Sequence, residues 1–288
     1  MTYIAKSYAK INLGLRVTSR LPNGYHTIQT GFVFINWYDR LEVSKSHETL
    51  FRCSNKQLST GEDNLVMKAV KAMSKATGRK LNYHIHLSKM IPMAAGLGGG
   101  SSNAALMLRM INHIEQLGLS DEELAKIGVT LGADVPIFIY GKTATAQGIG
   151  DQLTFRDIQP DMHIVTINPA IDSSTAEAYQ FCQPYEDETL DVDKILTTFP
   201  ADDWTTFLVN DLEPPVIEIH PFIGMLKDQF YDFGAVYAAM SGSGSSVFGL
   251  FDQESAAIES FEYLQSEGYK VNLTNPKFAP DQRISQKY

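Results

Sequence analysis

Cysteine is nearly absent from this chain of 288 residues: Cys53 and Cys182 are its only two, far apart and with no C-x-x-C pair. That usage excludes a disulfide framework and a thiolate zinc site, and it predicts a reducing, cytoplasmic setting. No apolar run approaches the ~20 residues of a membrane-spanning helix, and the opening MTYIAKSYAKINLGL lacks the apolar core of a signal segment. Positive charge is also scarce, with 24 Lys and Arg against 33 Asp and Glu, a net charge of −9. That balance excludes nucleic acid or an anionic membrane as the main partner. It leaves a phosphate ligand open, because a local nest of backbone amides binds anions even on an acidic protein. No internal repeat or low-complexity stretch is visible.

Glycine, by contrast, is concentrated in one place. Residues 92–105 read PMAAGLGGGSSNAA. An alternating strand pattern, YHIHLSKMIP, precedes them, and a helix-forming run, AALMLRMINHIEQL, overlaps and follows their end. A strand, a glycine loop and a helix start make an anion site: glycine lets amides approach a phosphate, and the helix terminus adds unpaired donors and partial positive charge. Ser101 and Ser102 are placed to cap the helix or to donate to phosphate oxygens. No Lys precedes Ser101, so this is not a P-loop, and Ser101 stands where a dinucleotide fingerprint needs its third glycine.

The first 45 residues predict strands over 4–8, 11–18 and 27–36, interrupted at Pro22-Asn23-Gly24. A helix opens at Asp63-Asn64, with Leu65, Val66, Ala69, Val70 and Met73 on one stripe and Gly78 at its end. Ser120 to Glu123 form a capping box for a helix over 121–131, stopped at Gly132. The segment from Ala133 to Tyr140 reads as a turn into a buried strand. A second lobe begins near 151–161, in the order strand 163–168, a helical middle, helix 216–231, strand 235–240, glycine turn, strand 246–251, helix 254–267 and strand 269–273. That is close to a split βαβ arrangement of the ferredoxin type. The polar tail after Pro276 is expected to be disordered.

Three clusters could carry chemistry. Lys10 and Asn12 alternate on an apolar strand and so share a face. Asp134 stands just before the run Ile137 to Tyr140. Met240 to Phe248 hold a glycine-serine turn between two strands. Taken singly, each has an ordinary reading: a surface-strand lysine, a turn or cap aspartate, a plain hairpin. Together with a phosphate loop they suggest more. Asp can accept a hydroxyl proton and Lys can stabilise a transferring phosphoryl group, and phosphoryl transfer asks for little beyond positioning and electrostatics. His84 and His86 share a strand face, but with no third ligand nearby they read as a polar face. Residues 187–193 read as a solvated acidic loop.

The three clusters resemble the three motifs of the GHMP kinases. The expanded loop from Pro92 to Ser102, the opening Ala9-Lys10-Ile11-Asn12-Leu13, the stretch from Arg20 through Gly24-Tyr25-His26 to Thr30, and Gly132-Ala133-Asp134-Val135-Pro136 are most similar to one branch. That branch phosphorylates the 2-hydroxyl of a cytidyl diphosphate-linked methylerythritol in non-mevalonate isoprenoid synthesis. The resemblance covers the chain, densely over its first 150 residues and thinly after.

It implies an α+β, two-lobed GHMP kinase fold. Residues 1–155 would form an ATP-binding lobe like ribosomal protein S5 domain 2, and residues 156–288 a ferredoxin-like lobe completing the substrate cleft. Lys10 and Asp134 would be the catalytic pair. Pro92, Met93, Ala94, Ala95, Gly96, Leu97, Gly98, Gly99, Gly100, Ser101 and Ser102 would cradle the ATP phosphates, with Asn64, Leu65 and Lys89 around the adenosine. Asn12, Tyr25, His26, Thr175 and Tyr179 would hold the cytidyl diphosphate substrate. Mg²⁺ is expected with ATP, with Ser102 a candidate ligand and no all-protein metal site. A monomer or weak homodimer is expected. The chain departs from the branch at Ala94-Ala95, where glycines are common, and at Ser243 and Ser245, where Thr and Ala are usual. Other kinases of the family, acting on homoserine or mevalonate, and a catalytically silent nucleotide-binding protein are the alternatives.

Overall fold

The computed structural model describes residues 1–182 and 190–287. In chain order its elements are β1 (Thr2–Arg20), β2 (His26–Lys45), β3 (Leu50–Cys53), α1 (Leu65–Thr77), β4 (Tyr83–Ser88), α2 (Gly99–Ile114), α3 (Asp121–Gly128), α4 (Val135–Tyr140), β5 (Ala144–Gln147) and β6 (Gln152–Phe155). There follow β7 (His163–Asn168), α5 (Thr175–Phe181), α6 (Val192–Thr198), α7 (Trp204–Phe207), α8 (Glu213–Ile219), α9 (Pro221–Asp232), β8 (Tyr237–Met240), β9 (Val247–Phe251), α10 (Glu254–Ser266), β10 (Lys270–Thr274) and β11 (Ser285–Lys287).

Among the described residues, two sheets carry the fold. The first runs β11-β1-β2-β4-β3, with β5 added to β2 and β6 to β5; only β3 and β4 pair in parallel. The second runs β10-β7-β9-β8, all antiparallel, which is the ferredoxin-like order. One apolar cluster lies between the first sheet and its helices, and another joins β7–β10 to α8, α9 and α10. A third cluster packs Ile11, Leu13, Val33 and Ile35 against Ile164, Tyr237, Phe248 and Leu250, so the two sheets share a core. Because side chains alternate along β1, burying Ala9, Ile11 and Leu13 there sends Lys10 and Asn12 to the other face.

The expected strands over 4–8 and 11–18 are one strand, β1, with register shifts at Tyr8/Ala9, Leu13/Leu15 and Val17/Ser19. The helix at Asn64 forms as expected: the Asn64 side chain accepts from the Val66 amide and Gly78 closes it at φ +66°. The capping box at Ser120 also forms, but α3 ends at Gly128 rather than 131.

Four expectations are corrected. Residues 135–140 are helical, not a strand: Pro136 sits in the first turn, where its fixed φ suits a helix, and Gly141 ends it at φ +58°. The helix expected over 216–231 is two helices meeting at His220, because Pro221 cannot continue the first and restricts the residue before it. The serine pair does not start α2, which begins at Gly99 after the left-handed Gly98, so both serines lie inside it. The tail is ordered by pairing of β11 with Thr2–Ile4, by Phe278 against Tyr8 and by Arg109 donating to the Gln282 carbonyl at 3.1 Å. Of the acidic stretch, 187–189 lie outside the described residues, while Leu190 is buried and Asp191 caps α6.

Candidate active site

A cleft of about 550 Å³ opens where the glycine loop faces the second lobe. It is lined by Lys10, Asn12, Asn64, Leu65, Lys89, Asp134, Thr175 and Tyr179, and by the loop from Pro92 to Ser101. At the start of α2 the amides of Gly99, Gly100 and Ser101 have no partner within the helix, and no acidic side chain stands in that first turn. The cleft therefore meets a cluster of bare donors with the positive end of a 16-residue helix behind it.

The loop is fixed by close backbone approach. A Cβ on Gly96 (φ +71°) would lie 1.9 Å from the Ser241 carbonyl oxygen, and one on Gly98 (φ +68°) 2.6 Å from the Phe138 ring. The turn over 241–246 locks against it: Ser241 Oγ donates to the Gly96 carbonyl (3.0 Å), and the Ser246 amide to the Ala95 carbonyl (3.2 Å). The two serines that depart from the branch brace this turn, Ser243 Oγ against Thr175 Oγ1 at 2.9 Å and Ser245 Oγ donating to the Ile171 carbonyl. Ala94 also departs, and it sits at φ +49°, a conformation that favours glycine. Ala94→Gly should therefore stabilise the protein by about 0.5–1 kcal/mol in chemical denaturation; a loss of stability would show that the Ala94 methyl packs to more effect than its backbone strains.

Lys10 reaches the cleft from β1. Its Nζ donates to Asn12 Oδ1 (2.7 Å) and the Gly96 carbonyl (3.2 Å) and lies 3.5 Å from Asp134 Oδ2. The lysine side chain is 5% exposed and the aspartate 32%, so the cation is sequestered while the carboxylate faces the cleft. The Phe32 ring lies 5.3 Å from the ammonium. Asp134 precedes α4, so the helix misread as a strand is what carries it to Lys10.

Sequence reasoning missed Asp39, which anchors the floor. It is fully buried on β2 and accepts from Lys89 Nζ (2.6 Å), the Met90 and Ile91 amides (2.7 and 2.8 Å) and Asn103 Nδ2 (2.8 Å). Burial pulls the Lys89 ammonium below its ordinary value, and Asp39 opposes that shift. Lys89 thus lines the cleft with a cation already committed to Asp39 and the Ile91 carbonyl. Asp39→Ala would strand that buried cation and three further donors. The expected cost is about 3–5 kcal/mol in urea denaturation; a cost below about 1 kcal/mol would show the network to be dispensable.

The remaining expected residues divide. Ser102 is buried, its hydroxyl donating to the Tyr8 carbonyl (2.7 Å), so it faces the core while Ser101 faces the cleft. Tyr25 is 59% exposed and does not line the cleft. His26 stacks on Tyr179, ring centroids 4.8 Å apart and planes within 16°. Burial, with the Arg20 charge adding to it, holds the imidazole below its ordinary value, so a neutral ring meets Tyr179 at pH 7. Burial, then the nearby Asp134 charge, raises the Tyr179 phenol. Leu58, Ser59, Phe32 and Ile149 also line the cleft, and no sequence motif marked them.

Comparison with known proteins gives the same picture by a separate route. Residues 64–142 match the GHMP kinases N terminal domain and residues 197–270 the GHMP kinases C terminal domain. A 4-diphosphocytidyl-2-C-methyl-D-erythritol kinase of Chlorobium phaeobacteroides is 40% identical over 279 residues, 95% of each chain. One of Parabacteroides distasonis is 42% identical over 247 residues, 85% of this chain and 90% of its own. A crystal structure of 4-(cytidine 5'-diphospho)-2C-methyl-D-erythritol kinase superposes with a TM-score of 0.79 at 30% identity, covering 94% of this chain and 99% of that one. The mevalonate kinase of Methanococcus jannaschii, at 16% identity and a TM-score of 0.74, shares the fold. Identity of this order across nearly the whole length, with both domain matches in sequence, makes the chain a member of the GHMP kinase family, in the group of its 4-diphosphocytidyl-2-C-methyl-D-erythritol kinase relatives.

Proposed function

We propose that the chain transfers the γ-phosphoryl group of ATP to the 2-hydroxyl of 4-diphosphocytidyl-2-C-methyl-D-erythritol. The observation that carries this reading is Asp134 Oδ2 at 3.5 Å from Lys10 Nζ, beside the bare amides of the α2 N-terminus. ATP lies with its phosphates on Gly96 to Ser101 and its adenosine toward Asn64, Leu65 and Lys89. The acceptor hydroxyl lies between Asp134 and the γ-phosphate. Asp134 accepts or orients its proton, and Lys10 stabilises the charge that gathers on the transferring group. Transfer is direct, with no phosphoenzyme. The neutral His26 and the aromatic faces of Tyr25 and Tyr179 offer stacking and hydrogen bonds to a flat pyrimidine; His26 and Tyr179 must part, or be stacked upon, to do so.

The donor set fits a Mg²⁺ ion carried in by the nucleotide. Among the described residues no three His, Cys, Asp or Glu side chains gather around a common point, and Mg²⁺ is held well by phosphate oxygens with water. Such an ion would neutralise phosphate charge, and Ser101 and Asp134 would hold it from the cleft wall; Ser102, expected as a ligand, is turned away with its hydroxyl on the Tyr8 carbonyl. No helix of the described residues is long and apolar enough to cross a membrane. We further propose a cytoplasmic monomer or weak homodimer, with the lobes divided at 155/156.

The test is ADP release from ATP and Mg²⁺ with 4-diphosphocytidyl-2-C-methyl-D-erythritol, homoserine or mevalonate in separate reactions. Turnover with the cytidyl compound alone is expected. Turnover with homoserine or mevalonate instead would move the chain to another branch.

A further inference from the structure

Lys10 is held by a buried hydrogen-bond chain whose polarity is set at Thr30, one hydrogen bond beyond Asn12. Thr30, on β2, is 1% exposed, and its Oγ1 donates to the Gly14 carbonyl at 2.6 Å. Gly14 stands at φ +63° in the register shift between Leu13 and Leu15, the irregularity in β1 beside that carbonyl. A hydroxyl has one proton. With it committed to Gly14, Thr30 Oγ1 can only accept from Asn12, and Asn12 Nδ2 lies 2.9 Å away. The Asn12 amide is thereby fixed with its –NH₂ toward Thr30 and its carbonyl toward Lys10, whose Nζ donates to Asn12 Oδ1 at 2.7 Å. Were the amide flipped, it would point donors at an ammonium.

We propose that Thr30 is a positioning residue for phosphoryl transfer: by fixing which end of the Asn12 amide faces Lys10, it aims the ammonium at the reacting centre. The proposal rests on the kinase reading above. Thr30 itself lines no part of the cleft. Its effect on the reaction passes wholly through Asn12 and Lys10.

The test measures kcat and KM for wild type, Thr30→Val and Thr30→Ser, together with a cycle that adds Thr30→Val to Asn12→Ala. Valine keeps the threonine shape and removes both hydrogen bonds. Thr30→Val should lose about 10–100-fold in kcat, the scale of a small misplacement of a reacting group, with KM for ATP within about twofold of wild type. Thr30→Ser keeps the hydroxyl and should restore kcat to within about threefold of wild type. In the Asn12→Ala background Thr30→Val should cost no further kcat, since the amide it orients is gone. Wild-type kcat in Thr30→Val, failure of Thr30→Ser to rescue, or a full additional loss on top of Asn12→Ala would each overturn the proposal. If Thr30→Val does not fold, Thr30→Ala in place of it carries the same comparison with Thr30→Ser. An inactive wild type on every acceptor would instead count against the kinase reading, and so the two failures are distinguishable.

Discussion

Asp134→Asn and Lys10→Ala should each lower kcat by about 10²–10⁴-fold while the fold survives, the range removed with a positioned proton acceptor or a preorganised charge. Asn keeps the shape of the Asp134 side chain and loses its negative charge and most of its basicity. The side chain is 32% exposed and faces the cleft, so the folding cost should be small. Lys10 is more buried, and its loss leaves Asn12 Oδ1 without its donor while the Gly96 carbonyl keeps Ser241 Oγ. Both atoms border the cleft, where water can replace the ammonium. Steady-state kinetics beside thermal unfolding separates the two effects. Near-normal turnover in either variant would remove the pair from the mechanism, and a collapse of the fold in Asp134→Asn would make its role structural.

The second large effect is expected at Gly96. A methyl group there would lie 1.9 Å from the Ser241 carbonyl oxygen and 3.1 Å from that of Gly244, on a backbone at φ +71°. Neither neighbour is the end of a flexible side chain, so the phosphate loop or the 241–246 turn must move. Gly96→Ala should cost about 2–4 kcal/mol from left-handed strain and steric overlap, and it should weaken ATP by more than about tenfold, which is 1.4 kcal/mol. Gly100→Ala is the control. It meets only Leu65 Cδ1, at 3.4 Å, on an ordinary helical backbone, and should change stability by less than about 0.5 kcal/mol. Equal stability in the two variants would show that the loop has slack the distances deny.

Much of this site was legible in the residues because its chemistry is local. A glycine run between a strand and a helix is a contiguous signal, and alternation alone put Lys10 and Asn12 on one face. Asp134 was found by its motif and misplaced in its element. The run from Val135 to Ile139 is buried throughout, and an apolar run buried on all sides shows neither the helical nor the strand period. Pro136 at its start and Gly141 at its end were the overlooked signals. Ser101 and Ser102 are adjacent, and nothing in their order tells which looks outward; the helix start at Gly99 sets that phase.

Asp39 was not legible at all. In Trp37-Tyr38-Asp39-Arg40 it stands beyond the strand expected over 27–36, and nothing in its neighbours marks it for burial. Its donors come from Lys89, Met90, Ile91 and Asn103, which only the fold brings beneath it. The tail misled for the opposite reason. Its polar composition describes side chains, while its order comes from main-chain pairing of β11 with β1 and from one ring, Phe278, on Tyr8. Tyr25 and His26 lie between these cases. The resemblance gave both to the substrate, and the structure turns one to solvent and stacks the other on Tyr179.

The central claim is direct transfer from ATP to one hydroxyl in this cleft, and phosphorus NMR of a working reaction tests it most directly. With ATP, Mg²⁺ and 4-diphosphocytidyl-2-C-methyl-D-erythritol, a phosphomonoester signal on the product should rise as the γ-phosphate signal falls, with the cytidyl diphosphate signals kept. Asp134→Asn should show that signal only at a small fraction of the wild-type rate. Inorganic phosphate in place of the ester, or a phosphorylated protein preceding the product, would contradict the account.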